Sequence, residues 1–128
     1  MRDVAIATGR SRRSTHWQNT RMTWGELVDR LRTTTRTQET IAEYRNLPKS
    51  EQDAIKDVGG FVGGYLEGGR RKNGAVKLRS MLTLDADYAR PGLWDEIELL
   101  CGYACLMYST HKHRPETPRV RLVIPLAR

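Results

Sequence analysis

The chain has 128 residues, which suits a single domain with a hydrophobic core of its own. No run of about 18 apolar residues is present and no secretory signal is recognisable, so we expect no membrane span. The 22 Lys and Arg residues outnumber the 15 Asp and Glu residues, for a formal net charge of +7. Such an excess favours a polyanionic partner such as nucleic acid or nucleotides, although an ordinary basic protein is an equally good explanation.

The first half of the chain predicts one short strand followed by helices. The clearest helix begins after Thr23, which is a possible N-cap with Glu26 at the capping-box distance, and its apolar residues recur at helical spacing. The predicted elements of this half are a strand at 2–8, a basic loop at 9–21 and helices at 23–34, 37–47 and 49–60.

The second half changes to a β-rich pattern. A basic, glycine-rich loop at 68–74 joins the first two strands into a predicted hairpin. The predicted elements are strands at 60–68, 75–88, 104–111 and 119–127, with a helix at 90–104 before the third strand. We therefore expect one α+β domain, in which a strand and helices over 1–59 precede a β-β-α-β-β sheet over 60–128.

The two cysteines, Cys101 and Cys105, lie four residues apart in an apolar stretch. Two cysteines are too few for a disulfide framework, and a metal site would need further ligands nearby. We predict a reduced, cytoplasmic setting on this basis.

Apolar and polar side chains alternate along the predicted strand 75–88, so they should point to opposite faces of the sheet. The even-numbered set should face the helices: Leu78, Ser80, Leu82, Leu84 and Ala86. The odd-numbered set should face an open side: Lys77, Arg79, Met81, Thr83, Asp85 and Asp87. If the last three strands are neighbours, one open polar face gathers the following residues: Asp85, Asp87, Ser109, His111, Arg79, Arg119 and Arg121.

Such a face has the chemistry of a metal–nucleotide site. Two aspartates at i and i+2 of a strand can bind Mg²⁺ or Mn²⁺, and arginine and histidine can hold phosphate charge. Ordinary explanations stay open for each feature. Asp85 and Asp87 can simply end a strand in a polar turn, His111 can be a surface histidine, and Arg119 and Arg121 can be the solvated face of an edge strand.

Two motifs resemble those of the archaeo-eukaryotic primase superfamily. The stretch "LTLDAD" resembles its first catalytic motif, and "YSTH" resembles its second. Longer stretches, "FVGGYLEGGRRKNG", "STHKHRPETPRVRLVIPLAR" and "THWQNTRMTWGEL", resemble the N-terminal primase-type domain of virulence-associated E-like replication proteins of phages and mobile elements. The resemblance implies a partial RRM-like primase fold with helices on one face of the sheet.

The resemblance also implies a template-directed nucleotidyl transferase that uses a nucleoside triphosphate and DNA. Asp85 and Asp87 would hold Mg²⁺ or Mn²⁺, and His111 would contact the nucleotide phosphates with Ser109 beside it. Arg79, Arg119 and Arg121 are our own candidates for phosphate or template contacts, from parity and charge. The family's third acidic motif is absent after His111, so we expect the N-terminal portion of a larger domain, sometimes joined to a helicase, that is inactive alone.

Two other functions remain possible. A non-enzymatic phage fragment could bind nucleic acid or a host protein, with the basic loops "GRSRR" and "GGRRKNG" contacting backbone phosphates. A metal-dependent nuclease is less well supported, because no further acidic ligand is evident.

Overall fold

The computed structural model describes residues 3–34, 36–100, 102 and 104–126, and it confirms the α+β class. Cys101, part of the predicted helical stripe, lies outside the described residues. None of the described helices is long and apolar enough to cross a membrane. The elements are β1 (Asp3–Gly9), β2 (Gln18–Thr23), α1 (Trp24–Arg32), α2 (Ile41–Arg45), α3 (Lys49–Lys56), β3 (Gly60–Val62), β4 (Gly64–Leu66), β5 (Val76–Arg79), β6 (Met81–Ala86), α4 (Leu93–Leu100), β7 (Leu106–Ser109) and β8 (Val120–Pro125).

Helix α1 follows the sequence prediction closely. The Thr23 side chain accepts a hydrogen bond from the Glu26 backbone N–H at 3.1 Å, which satisfies one of the free donors at the helix start. Leu27 is fully buried, and Trp24 and Leu31 pack against the same core. The apolar stripe of the sequence is therefore the face that this helix buries.

The strands form three small antiparallel sheets, with the orders β2-β1-β3, β4-β5 and β6-β8-β7. Strands β4 and β5 form the predicted hairpin. The predicted basic loop 9–21 overlaps β2, whose residues are mostly polar and show no apolar alternation. Pairing with β1 along six residue pairs, from Asp3↔Thr23 to Thr8↔Gln18, makes this segment a strand.

The predicted strand 75–88 is interrupted at Ser80, so the expected single sheet is divided. Its first part pairs with β4 and its second part with β8. Ser80 donates its N–H to the Gly63 carbonyl at 2.8 Å and accepts a hydrogen bond from Leu126 N–H at 2.8 Å. Its hydroxyl also accepts a hydrogen bond from the Ala5 backbone N–H at 2.9 Å. Ser80 thus lies where the three sheets meet.

The main core lies between the β6-β8-β7 sheet and the layer formed by β1 and α1. Five side chains form its buried centre: Val4, Ile6, Leu27, Met81 and Val123. A second cluster packs Trp17 and Leu66 against Ala7, and the Asn19 side chain bridges to it by hydrogen bonds to the Leu66 backbone N–H and C=O. These bonds attach the β4-β5 hairpin to the first sheet.

The predicted orientation of β6 is wrong. Met81 has no exposed surface, whereas Leu82 and Leu84 on the other face are 37% and 46% exposed. Met81 and Thr83 lie on the same face as Val123, which packs on β1 and α1. The odd-numbered face turns inward because Met81 packs there against Val4 and Ile6 of β1 and Leu27 of α1.

Candidate functional site

Asp85 and Arg121 form a direct pair between β6 and β8. Arg121 Nε donates to Asp85 Oδ1 at 2.6 Å, and Nη2 lies 3.4 Å from Oδ2. The two residues are directly opposite in the strand register, which places their side chains on one face. The structure thus brings together one predicted aspartate and one predicted arginine, as an ion pair.

Tyr108 from β7 completes this cluster. Arg121 Nη1 donates to the Tyr108 hydroxyl at 3.2 Å, and its guanidinium lies 6.0 Å from the centre of the Tyr108 ring. Burial by itself would lower the pKa of Arg121, but its hydrogen bond to Asp85 and its contact with Tyr108 outweigh burial and raise that pKa. Arg121 therefore keeps its positive charge beside Asp85.

Two predicted members lie elsewhere. Ser109 is opposite Val120 and so belongs to the face away from Asp85 and Arg121, because facing residues of an antiparallel pair share a side. Arg79 pairs with Gly64 in the β4-β5 hairpin, which is a different sheet. The expected single polar face fails for Arg79 because the predicted strand 75–88 breaks at Ser80. It fails for Ser109 because Tyr108, its neighbour on β7, is the residue that lies on the face of Asp85 and Arg121.

His111 follows β7 in a turn and contacts residues from the N-terminal half. Its Nε2 lies 3.5 Å from Glu39 Oε1, and its ring lies 4.5 Å from that of Tyr44, centre to centre. The Thr37 hydroxyl, which donates to Glu39 Oε1, is the main cause that lowers the pKa of Glu39, and His111 adds to the effect. Glu39 is therefore ionised near neutral pH and holds the His111 ring in place.

Asp87 and Arg119 lie together in an open depression of about 710 Å³. Asp87 is in the turn after β6, and Arg119 directly precedes β8. Lys112 and Arg45 enter the same depression, the first from the turn after β7 and the second from the end of α2. Its charged lining is four basic and two acidic side chains: Arg45, Arg90, Lys112, Arg119, Asp87 and Glu116.

A family model described as VapE N-terminal domain matches residues 1–128. The chain belongs to this family. VapE-like domains occur in proteins of phages and mobile elements, which confirms that part of the predicted resemblance. No curated protein and no solved structure matches the chain. The wider assignment of this VapE N-terminal domain to the primase superfamily stays a prediction.

The predicted metal ligands of the VapE N-terminal domain are not arranged as an open metal site. Within the ranges that the structure describes, no three His, Cys, Asp or Glu side chains lie close enough to share an ion. Mg²⁺ is often held by one or two carboxylates together with substrate phosphates, so two aspartates are a sufficient set. Arg121, however, engages both oxygens of Asp85. A metal held by both aspartates does not fit this arrangement unless Arg121 releases Asp85.

Sequence reasoning missed Arg45, Lys112 and Glu39. Lys112 stands between His111 and His113, so this run of polar residues was a usable local signal. Arg45 and Glu39 lie in or before a short helix about 70 residues away along the chain, and no local pattern indicates their neighbours. Only the tertiary fold of the VapE N-terminal domain places α2 against the turn after β7.

Proposed function

We propose that this VapE N-terminal domain binds the phosphate groups of a nucleoside triphosphate in the depression, as part of a phage or mobile-element replication protein. The supporting observation is that the depression gathers the predicted residues Asp87 and Arg119 with Lys112 and Arg45. Basic side chains that converge in a concave surface focus the field and favour a compact polyanion.

The basic side chains of the depression are available to a ligand. In the described part of the chain, neither Arg45 nor Arg119 forms a salt bridge, and Arg90 approaches Glu96 only at 4.0 Å. Lys112 lies 6.0 Å from the centre of the Tyr44 ring, a contact that leaves its ammonium free to donate hydrogen bonds. A triphosphate can thus gain charge-assisted hydrogen bonds without first breaking a strong internal pair.

The double variant Lys112→Ala/Arg119→Ala tests this site. We expect it to bind ATP and inorganic tripolyphosphate at least roughly tenfold more weakly than the wild type, because two charge-assisted contacts are lost. Isothermal titration calorimetry at low salt gives both affinities.

A matched control removes two exposed arginines that do not line the depression, Arg32→Ala/Arg79→Ala. This control should change the affinities less than about twofold. An equal loss of affinity in both double variants would show that net charge, and not contact with Lys112 and Arg119, causes the loss. A wild-type domain that binds neither ligand would overturn the proposal.

Metal-dependent nucleotidyl transfer is the second candidate, with Asp85 and Asp87 as ligands of Mg²⁺ or Mn²⁺ and His111 near the nucleotide phosphates. It is supported by the resemblance to primase motifs and by the position of Asp87 in the depression. Arg121 competes with a metal for Asp85. The chain's own residues would then bind and orient the phosphates, while the metal would supply the charge that activates the attacking hydroxyl.

Calorimetry with Mn²⁺ in the presence of a nonhydrolysable triphosphate tests this candidate. The variant Arg121→Ala should bind Mn²⁺ several-fold more tightly than the wild type, because Asp85 no longer shares its oxygens. The variant Asp85→Ala/Asp87→Ala should lose Mn²⁺ binding. Equal Mn²⁺ binding by the wild type and the double aspartate variant would exclude these residues as the metal site and leave the phosphate site untouched.

A surface for DNA is supported by the two basic loops. The Trp17 backbone N–H donates to the Gly69 carbonyl at 2.7 Å, and the Arg71 guanidinium lies 5.7 Å from the centre of the Trp17 ring. These contacts join the segment that follows the arginines of 10–13 to the loop that carries the basic residues of 70–72. Salt-sensitive DNA binding that persists in Lys112→Ala/Arg119→Ala would be assigned to this surface.

A further inference from the structure

A smaller cavity of about 270 Å³ adjoins the depression. We call it the Trp94 cavity. Most of its wall is formed by apolar and ring side chains, among them Trp94, Met107, Val120 and Pro118, and its polar members are His113, Asp95 and Arg90. Arg90, Pro91 and Pro118 line both the Trp94 cavity and the depression, so the two form one continuous concave surface.

The Trp94 cavity has the size and chemistry for a flat ring. Its volume is just below the range of roughly 300–1,000 Å³ that holds whole small-molecule ligands, so it accommodates a ring but not a complete nucleotide. Trp94 comes from the first turn of α4, and Met107 and Val120 come from neighbouring strands of the last sheet. An aromatic ring with a thioether and prolines favours stacking of a planar, polarisable group.

His113 adds a directional polar group. The Arg119 backbone N–H donates to His113 Nδ1 at 3.2 Å, so in the neutral ring the proton resides on Nε2. A lining histidine with an Nε2–H donor can recognise a ring nitrogen or a carbonyl oxygen of a ligand. His113 lines the Trp94 cavity and Arg119 lines the depression. The hydrogen bond between them therefore links the walls of the two cavities.

We propose that the Trp94 cavity binds the nucleobase of the nucleotide whose phosphates lie in the depression. The proposal rests on the proposed function, and it names the second half of the same ligand. The shared rim of Arg90, Pro91 and Pro118 is then where the sugar joins the two ends. Trp94 stacks on the base, and the basic residues of the depression hold the phosphates.

The test compares ATP with inorganic tripolyphosphate, which lacks the base and the sugar. The wild type should bind ATP roughly 5- to 150-fold more tightly than tripolyphosphate, the range expected for stacking of one base on an aromatic side chain. Trp94→Leu should lose this preference and keep the tripolyphosphate affinity of the wild type. Trp94→Phe, which retains a ring, should keep most of the preference.

A second measurement uses the unaltered domain, so it does not depend on how the variants fold. The indole N–H resonance of Trp94, assigned by through-bond NMR experiments on the wild-type domain, should shift on addition of ATP and stay in place with tripolyphosphate. Equal affinity of the wild type for the two ligands, or an unmoved Trp94 resonance with ATP, would overturn the base site and leave the phosphate site standing. Failure to bind either ligand would overturn both.

Discussion

Met81→Ala is expected to lower the free energy of unfolding by about 2–5 kcal/mol, the usual cost of removing a fully buried methionine. Met81 has no exposed surface and lies in the core cluster with Ile6 and Leu27. Truncation removes apolar contacts and leaves a cavity that the surrounding strands can only partly fill. Urea unfolding followed by circular dichroism measures the change.

The control variant is Leu84→Ala, three residues further along β6 on the opposite face. Leu84 is 46% exposed, so its truncation should cost no more than about 1 kcal/mol. The two variants together test the orientation of β6. If Leu84→Ala cost more than Met81→Ala, the even-numbered face would be the buried one and the orientation described for β6 would be incorrect.

Gly64→Ala is expected to destabilise the protein by at least about 2–3 kcal/mol, at the upper end of what overpacking usually costs. A methyl group on Gly64 would overlap the carbonyl oxygen of Leu78 on the paired strand and come within 3.1 Å of the Arg79 Cα. Both obstacles are backbone atoms of β5, so relief requires the β4-β5 hairpin to open. The free energy of unfolding again provides the measurement.

Gly60→Ala is the matched control for this glycine. A methyl group on Gly60 would have no atom within 4 Å, and its backbone does not occupy the positive-φ region. Both substitutions reduce the freedom of the unfolded chain equally, so their difference isolates the clash in the folded state. Gly60→Ala should stay within about 0.5 kcal/mol of the wild type or be slightly stabilising. Equal effects at the two positions would contradict the close approach of β4 and β5.

The Asp85–Arg121 pair connects the two candidate functions of this VapE N-terminal domain. While the pair is closed, the proposed phosphate site in the depression keeps its basic side chains, and Asp85 is neutralised by its partner. The Asp85 side chain is 56% exposed, so the pair contributes little to folding stability. If the metal-dependent function proposed above holds, a divalent cation bound with a triphosphate would have to compete with Arg121 for Asp85.

Local sequence signals determined several elements of this protein. Thr23 and Glu26 set the start of α1, because a cap is a contact between residues three apart. The basic turn at 68–74 indicated the β4-β5 hairpin, which needs only neighbouring strands to pair. Asp85 was correctly placed near the end of a strand, since an apolar run followed by polar residues marks such an end, whereas Asp87, predicted within that strand, lies in the turn after it.

The tertiary structure alone decided which face of β6 is buried and which residues share a site. Alternation defines two faces of a strand, but near Met81 and Leu82 both faces are apolar, so the pattern cannot say which one meets the core. The packing of Met81 and Val123 against β1 and α1 settles that choice. The depression likewise joins Arg45 to Arg119, two positions far apart in sequence, because non-local contacts are products of the assembled fold.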